Sequence, residues 1–199
     1  MRTKNLGNPE QLLSFLGTGI YSVTEIRQRF NCSQPTVSRL MTQLGNRVVP
    51  IGNARARRYT KIRDIRGLGG EFPLFKIDTE GNAHLIGTLY AIAQDSFLWK
   101  PCHDNEQIFR SLPWFIADLH PEGFAGRAFV RRLHQELGLP PRNLDWNEDH
   151  VLTALALRGE DTMGNLVIGQ ESIERYFRMV RDQSDPIPEN EICAAYPRL

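Results

Sequence analysis

Two groups of side chains near the start of the chain have types and spacing suited to reading a nucleic acid. Gln34, Thr36, Ser38, Arg39 and Thr42 follow one another on a single stretch that opens at Ser33. Arg55, Arg57 and Arg58 lie between Ile51 and Tyr59. Arg and Gln present hydrogen-bonding groups that match base edges in a major groove, while Thr and Ser reach phosphates or bases. Arginines on a projecting hairpin contact the backbone or enter a narrow minor groove. A helix N-terminus adds backbone N–H groups for a phosphate. The bland alternative is that these residues form the solvated faces of a small helical domain.

The elements that would carry them are written in local signals. Asn8-Pro9-Glu10 is a helix start: a cap, a proline at the first helical position and an acid in the first turn. Leu12, Leu13 and Leu16 give that helix an apolar face, and Gly17 and Gly19 end it. Ser22 and Glu25 form a capping box ahead of Ile26 and Phe30. Asn31-Cys32-Ser33 is a tight connector, and Ser33 caps a third helix with Pro35 in its first turn. Val37, Leu40, Met41 and Leu44 recur at helical spacing up to Gly45, so the polar residues named above fall on the other face. The period then changes. Val48–Ile51 and Arg57–Ile62 read as two strands around a turn that starts at Gly52-Asn53. Helix, tight turn, helix and basic hairpin together predict a winged helix-turn-helix that binds double-stranded DNA.

Charge is divided as sharply as pattern. Residues 1–70 hold twelve Lys and Arg against three Asp and Glu, and residues 71–199 hold twelve against twenty. The formal charge of +1 is thus the sum of a +9 piece and a −8 piece. A basic piece attracts a polyanion and an acidic piece repels one, which predicts two functional units. The expected division is a DNA-binding domain over 1–65, a linker over 66–71 containing Gly67-Leu68-Gly69-Gly70, a second domain over 72–183, and an irregular tail over 184–199 with Pro186, Pro188 and Pro197.

The second domain opens with three expected strands, Phe72–Ile77, His84–Ile92 and Phe97–Trp99, the first two joined through Asp78–Asn82. Helices are expected over Ala125–Leu137, His150–Leu157 and Gln170–Arg181, with a short strand at Leu166–Ile168. The fold class is therefore α+β: a winged helix-turn-helix followed by a small mixed sheet with helices. Hydrophobic residues at 41% and charged residues at 24% exclude a disordered chain and a disulfide-dense scaffold. No stretch approaches the ~18 apolar residues of a membrane span, and Met1–Leu6 lacks the apolar core of a signal peptide. Cys32, Cys102 and Cys193 are an odd number without paired spacing, which fits a reduced, cytoplasmic setting and no membrane partner.

Other constellations carry less. Cys102-His103-Asp104 has no further Cys or His at ligand spacing, so no metal is expected. His120 has no nucleophile motif beside it. Glu148-Asp149 and Glu160-Asp161 are adjacent acids that suit helix starts. Trp99, Trp114 and Phe115, and the helically spaced Phe124, Phe129 and Leu133, are expected in the core.

Two resemblances sharpen this. Cys32-Ser-Gln-Pro-Thr-Val-Ser-Arg-Leu-Met41 resembles the recognition helix of winged helix-turn-helix regulators, over about residues 5–65. Gly87-Thr-Leu89, Leu112–Gly123 and Gly159–Ile168 resemble the N-terminal subdomain of HipA-type serine/threonine kinases, toxins of bacterial toxin–antitoxin pairs. Asn165 stands where that family's turn often has Ala, and Glu160 precedes Asp161. A winged helix in front of such a subdomain is most similar to the YjjJ branch of the family. The resemblance implies ATP-dependent kinase activity for the full-length family. This sequence carries no phosphate-binding loop, phosphate-contacting Lys or catalytic Asp with its partner Asn, so the chain alone is expected to be no enzyme and to hold no cofactor. What the resemblance implies instead is transcription regulation: operator binding through the winged helix, and contact with a HipA-type kinase core in cis or in trans. Repressors commonly bind as two copies on half-sites one helical turn apart, so a homodimer is an expected assembly. The alternatives are a non-catalytic N-terminal fragment of a kinase toxin and, more weakly, a ligand-sensing regulator.

Overall fold

The computed structural model describes residues 8–53, 56–120, 123–162 and 164–184. The basic half contains α1 (Pro9–Leu16), β1 (Tyr21–Ser22), α2 (Val23–Phe30), α3 (Gln34–Leu44), β2 (Val48–Ile51) and β3 (Arg58–Lys61). The acidic half contains β4 (Glu71–Ile77), β5 (Ala83–Ile92), β6 (Ser96–Pro101), β7 (Gln107–Phe109), α4 (Trp114–Ala117), α5 (Gly123–Leu133), α6 (Glu148–Arg158), β8 (Leu166–Ile168) and α7 (Gln170–Ser184). The strands form one sheet in the order β1-β3-β2 and a second in the order β7-β6-β5-β4-β8. The α+β class read from the sequence is the class observed. The second sheet, expected as mixed, is antiparallel at every pairing among the described residues. β4 to β7 follow one another through short connections, which suits antiparallel pairing, and β8 returns after the helices to pair antiparallel with β4.

The helix caps are those the sequence encodes. The Glu10 N–H donates to Asn8 Oδ1 at 2.9 Å, and Ser22 and Glu25 exchange both bonds of the capping box. Asn31 takes the left-handed conformation, φ 47°, that closes α2. Three leucines of α1 meet Ile26, Phe30, Val37, Leu40 and Leu44 in a single apolar cluster. The elements that escaped the sequence are short. β1 is two residues held by β3, β7 is three residues held by β6, and α4 is one turn. The helix expected to reach Leu137 stops at Leu133, and the chain continues through hydrogen-bonded turns to Leu139.

The second sheet is buried on both faces at β6. Phe97 and Trp99 point into a core shared with Leu89, Ile116, Leu152 and Leu155. Leu98 points the other way, into a cluster with Ile92 and with Val49 of β2. That alternation is the period of a strand, and it explains why Phe97-Leu98-Trp99 is an unbroken buried run. The basic half thus covers the face of the sheet that the helices leave open. Trp114, expected in the core, is 70% exposed at the start of α4, while its neighbour Phe115 packs edge-on against Trp99. One turn of helix cannot bury two successive rings on the same side. Phe129 and Leu133 are buried as expected; the side chain of Phe124 lies outside the described residues.

The stretch between the halves is tied at both ends. The Arg63 N–H donates to the Ala91 carbonyl at 2.8 Å, and the Ala91 N–H donates to the Gly70 carbonyl at 2.9 Å. A Cβ on Gly70 would stand 2.1 Å from the Arg63 carbonyl oxygen, so only glycine permits this approach. Asp64 accepts from the Gly67 and Gly69 N–H groups at 2.7 and 2.8 Å and closes the turn. Ile65 is fully buried in the main core. Arg63 places its guanidinium over the Phe97 ring and pairs with Asp149 at 2.6 Å. A chain that merely joined two domains would tolerate a shortened apolar side chain here. Ile65→Ala is expected to cost about 2–5 kcal/mol, the range for emptying a filled core site. Urea unfolding checks this: the midpoint falls while the m-value stays unchanged.

Candidate nucleic-acid interface

The candidate surface begins at the α2–α3 turn. Asn31 and Cys32 turn their N–H groups back to the Arg27 carbonyl, and Ser33 caps α3 by accepting from the Thr36 N–H at 3.4 Å. Ser33 and Thr36 also share a hydroxyl bond at 2.9 Å. Thr36 is therefore engaged in the cap and half-buried, rather than presented outward. Val37, Leu40 and Leu44 face the core. With successive residues turned by about 100°, Gln34, Ser38, Arg39 and Thr42 are left on the open side, and all four are exposed.

The hairpin completes the surface. β2 and β3 pair in register, Val48 with Lys61 and Ile51 with Arg58. Between α3 and this hairpin runs a groove of about 370 Å³. Gln34, Ser38 and Thr42 line its helix side, and Arg57 lines its hairpin side. The structure thus brings together four of the side chains picked from the sequence. Arg39 stands on the helix outside the groove. Arg58 opens β3, the middle strand, between Ile51 and Ser22, where its charge acts on Glu25. Arg55 lies outside the described residues. Among the described residues neither Arg39 nor Arg57 has a hydrogen-bond or ion-pair partner.

Several lining residues have no signal in the sequence pattern. Val23, Met41, Val48, Pro50 and Tyr59 form the apolar floor and wall of the groove. Met41 belongs to the apolar face by spacing, and only the packing of the hairpin turns its edge toward the groove. Lys100 and Glu106 belong to the other half of the chain, yet both touch the hairpin. Arg47, which follows α3, is held by Glu10 of α1 through bonds of 2.5 and 2.9 Å. That pair fastens the end of α3 to α1 and draws the Glu10 carboxyl below its ordinary range.

The segments that resemble a kinase subdomain lie elsewhere. Gly87–Leu89 is central in β5, Leu112–His120 runs through α4, and Gly159–Ile168 contains a 3-10 turn leading into β8. His120 packs against Trp146. Among the described residues no group of His, Cys, Asp and Glu is placed to hold a metal ion, and no helix is long and apolar enough to cross a membrane. Residues 68–177, from just before β4 into α7, match the family profile of the YjjJ-like toxin middle domain.

The chain belongs to the YjjJ-like toxin family. It is also 34% identical over 180 residues to Toxin YjjJ of Escherichia coli (strain K12), a match that covers 90% of this chain and 40% of that protein. The chain therefore spans about two fifths of the length of this curated relative. No solved structure matches it. In this YjjJ-like chain the family profile covers the acidic half, and the groove between α3 and the hairpin lies before it.

The support under α3 is open to titration. Glu25 accepts the backbone N–H of Ser22 at 2.7 Å and its hydroxyl at 2.7 Å, and these bonds, with a smaller contribution from Arg58, hold its carboxyl below the ordinary value of 4.5. A carboxyl depressed by folding stabilises the fold above its unfolded pKa and loses that contribution as pH falls through its folded value. The Glu25 carboxyl resonance is therefore expected to titrate below pH 4.5. Glu25→Gln should remove this share of the acid dependence of stability. An unshifted Glu25 midpoint contradicts the capping geometry.

Proposed function

We propose that this chain is a DNA-binding regulatory protein of the toxin–antitoxin type. Residues 1–65 act as a winged helix-turn-helix, with α3 as recognition helix and the β2–β3 hairpin as wing. Residues 72–183 act as the unit that contacts or restrains a HipA-type serine/threonine kinase core, in cis or in trans. The observation that carries the reading is the groove that sets Gln34, Ser38 and Thr42 opposite Arg57, in a half of the chain with a balance of +9. Uncharged hydrogen-bonding side chains there suit base edges, and the arginines at its border suit phosphates. Arg39, Arg55 and Arg58 add to the positive charge of the same half of the sequence. Family membership and the name of the curated relative support the toxin assignment. On this reading the chain itself transfers no phosphoryl group, works in the bacterial cytoplasm, and binds its operator as a homodimer.

The extent of the match favours a second form of the same idea. A curated toxin of which this chain spans 40% supports a chain that supplies the DNA-binding and non-catalytic part of a longer HipA-like kinase toxin. Intact mass of the endogenous polypeptide separates the two: about 22.8 kDa for a separate regulator, and well above it for a kinase toxin.

Fluorescence anisotropy with duplex DNA from upstream of the chain's own gene tests the reading, against a scrambled duplex and over a salt series. The expected result is preference for the upstream duplex, with log affinity falling against log salt with a slope of about −4 to −8, for roughly five to nine phosphate contacts. Arg57→Ala should make the slope shallower by about 1, and Ser38→Ala or Gln34→Ala should reduce the preference without altering the slope. Absence of binding at low salt overturns the assignment.

A further inference from the structure

The wing is held by the acidic half. At the end of β2 the Gly52 N–H donates to a Glu106 carboxylate oxygen at 2.8 Å. Two residues earlier the Pro50 carbonyl accepts from Lys100 Nζ at 2.6 Å. Lys100 and Glu106 pair with each other at 3.0 Å, and their side chains are only 23% and 27% exposed. Lys100 comes from β6 and Glu106 from the turn before β7, so both are carried by the sheet that also buries Leu98 against Val49 of β2. The hairpin is fixed on its apolar side by that contact and on its polar side by this pair.

We propose that Lys100 and Glu106 are positioning residues for DNA binding: they hold the base of the wing so that Arg57 faces the groove beside α3. The inference rests on the DNA-binding reading above and adds the acidic half to its machinery. Gly52 has φ 78°, a conformation open to many alternatives in a glycine, and it sits where the wing leaves β2. A carboxylate on its N–H selects one of them. Pro50 has no N–H, so its carbonyl is its one backbone polar group, and Lys100 takes it. With both ties made, β2 leaves the sheet in one direction and Arg57 returns at a fixed distance from Gln34, Ser38 and Thr42. Without them the wing samples several directions, and binding must order it at an entropic cost.

Simple electrostatics gives the opposite expectation. Glu106 is a negative charge beside a surface assigned to phosphates, so removing it would tighten binding if its charge were what mattered. The two accounts differ in sign, and Glu106→Gln separates them further, because an amide oxygen still accepts the Gly52 N–H.

The test uses the full chain with Glu106→Ala, Glu106→Gln and Lys100→Met. Amide hydrogen exchange at Gly52 is read first, without DNA, and then anisotropy on the upstream duplex over a salt series. Glu106→Ala is expected to speed Gly52 exchange and to weaken duplex binding, each by about tenfold, the scale of one charge-assisted hydrogen bond. Its salt slope should become shallower by about 1 as the Arg57 contact is lost. Glu106→Gln should retain Gly52 protection and most of the affinity. Lys100→Met should weaken binding several-fold and also speed Gly52 exchange, and the exchange carries the test if Glu106→Ala does not fold, because loss of a cation alone would weaken binding without it. Unchanged or tighter binding by Glu106→Ala and Lys100→Met, with the parent chain binding normally, overturns the proposal. A parent chain that binds no duplex refutes the DNA reading itself, whereas Gly52 exchange still reports whether Glu106 holds the wing.

Discussion

The contact of Val49 with Ile92 and Leu98 is the constraint on which the rest of the arrangement depends. It joins a half of charge +9 to a half of charge −8, and it does so with apolar surface. The consequence is a difference in salt response. Mobile ions screen exposed charges beyond about 10 Å at 0.1 M, but they leave apolar burial intact. The seam therefore persists at salt concentrations that weaken any attraction to phosphates. It also explains the composition of β6. A strand with one face on helices and the other on water would alternate apolar and polar residues; this one reads Phe97-Leu98-Trp99 because both of its faces are covered.

The parts of the structure legible in the sequence are those decided by neighbours in the chain. Asn8, Ser22 and Ser33 cap α1, α2 and α3 through side chains bonded two or three residues away, and the spacing of Val37, Leu40 and Leu44 fixes which face of α3 is buried. The open face with Gln34, Ser38, Arg39 and Thr42 follows from that spacing. What the sequence hid was decided at a distance. β1 exists because β3 pairs with it, and β7 because β6 does; neither has enough residues for a period to show. The glycine-rich stretch after Asp64 has the composition of a linker, but the fold ties it down through Ala91, whose bonds reach both Arg63 and Gly70. Trp114 and Phe115 look alike as a pair, and the register of one helical turn buries one ring and exposes the other. Lys100 and Glu106 are about fifty residues from the hairpin they touch, and no local pattern marks such a contact.

The division of charge within the groove bears on what each side chain can contribute. Gln34, Ser38 and Thr42 carry donors and acceptors but no net charge, so on the proposed reading any contact they made would depend on the geometry of a particular base edge. Arg57 and Arg39 carry charge and would be drawn to any phosphate, whatever the sequence. A surface built this way separates affinity, which falls with salt, from specificity, which does not need to. The cost is that affinity is exposed to the field of the acidic half. Glu106 stands at the base of the wing, where, on the proposed DNA-binding reading, an isolated carboxylate would repel phosphates. Its pairing with Lys100 at 3.0 Å answers this. Seen from the groove, a cation and an anion so close make a dipole rather than a charge, and a dipole's potential falls off faster with distance than that of a single ion. The acidic half can then support the wing at close range while its remaining carboxylates stay where the seam has placed them.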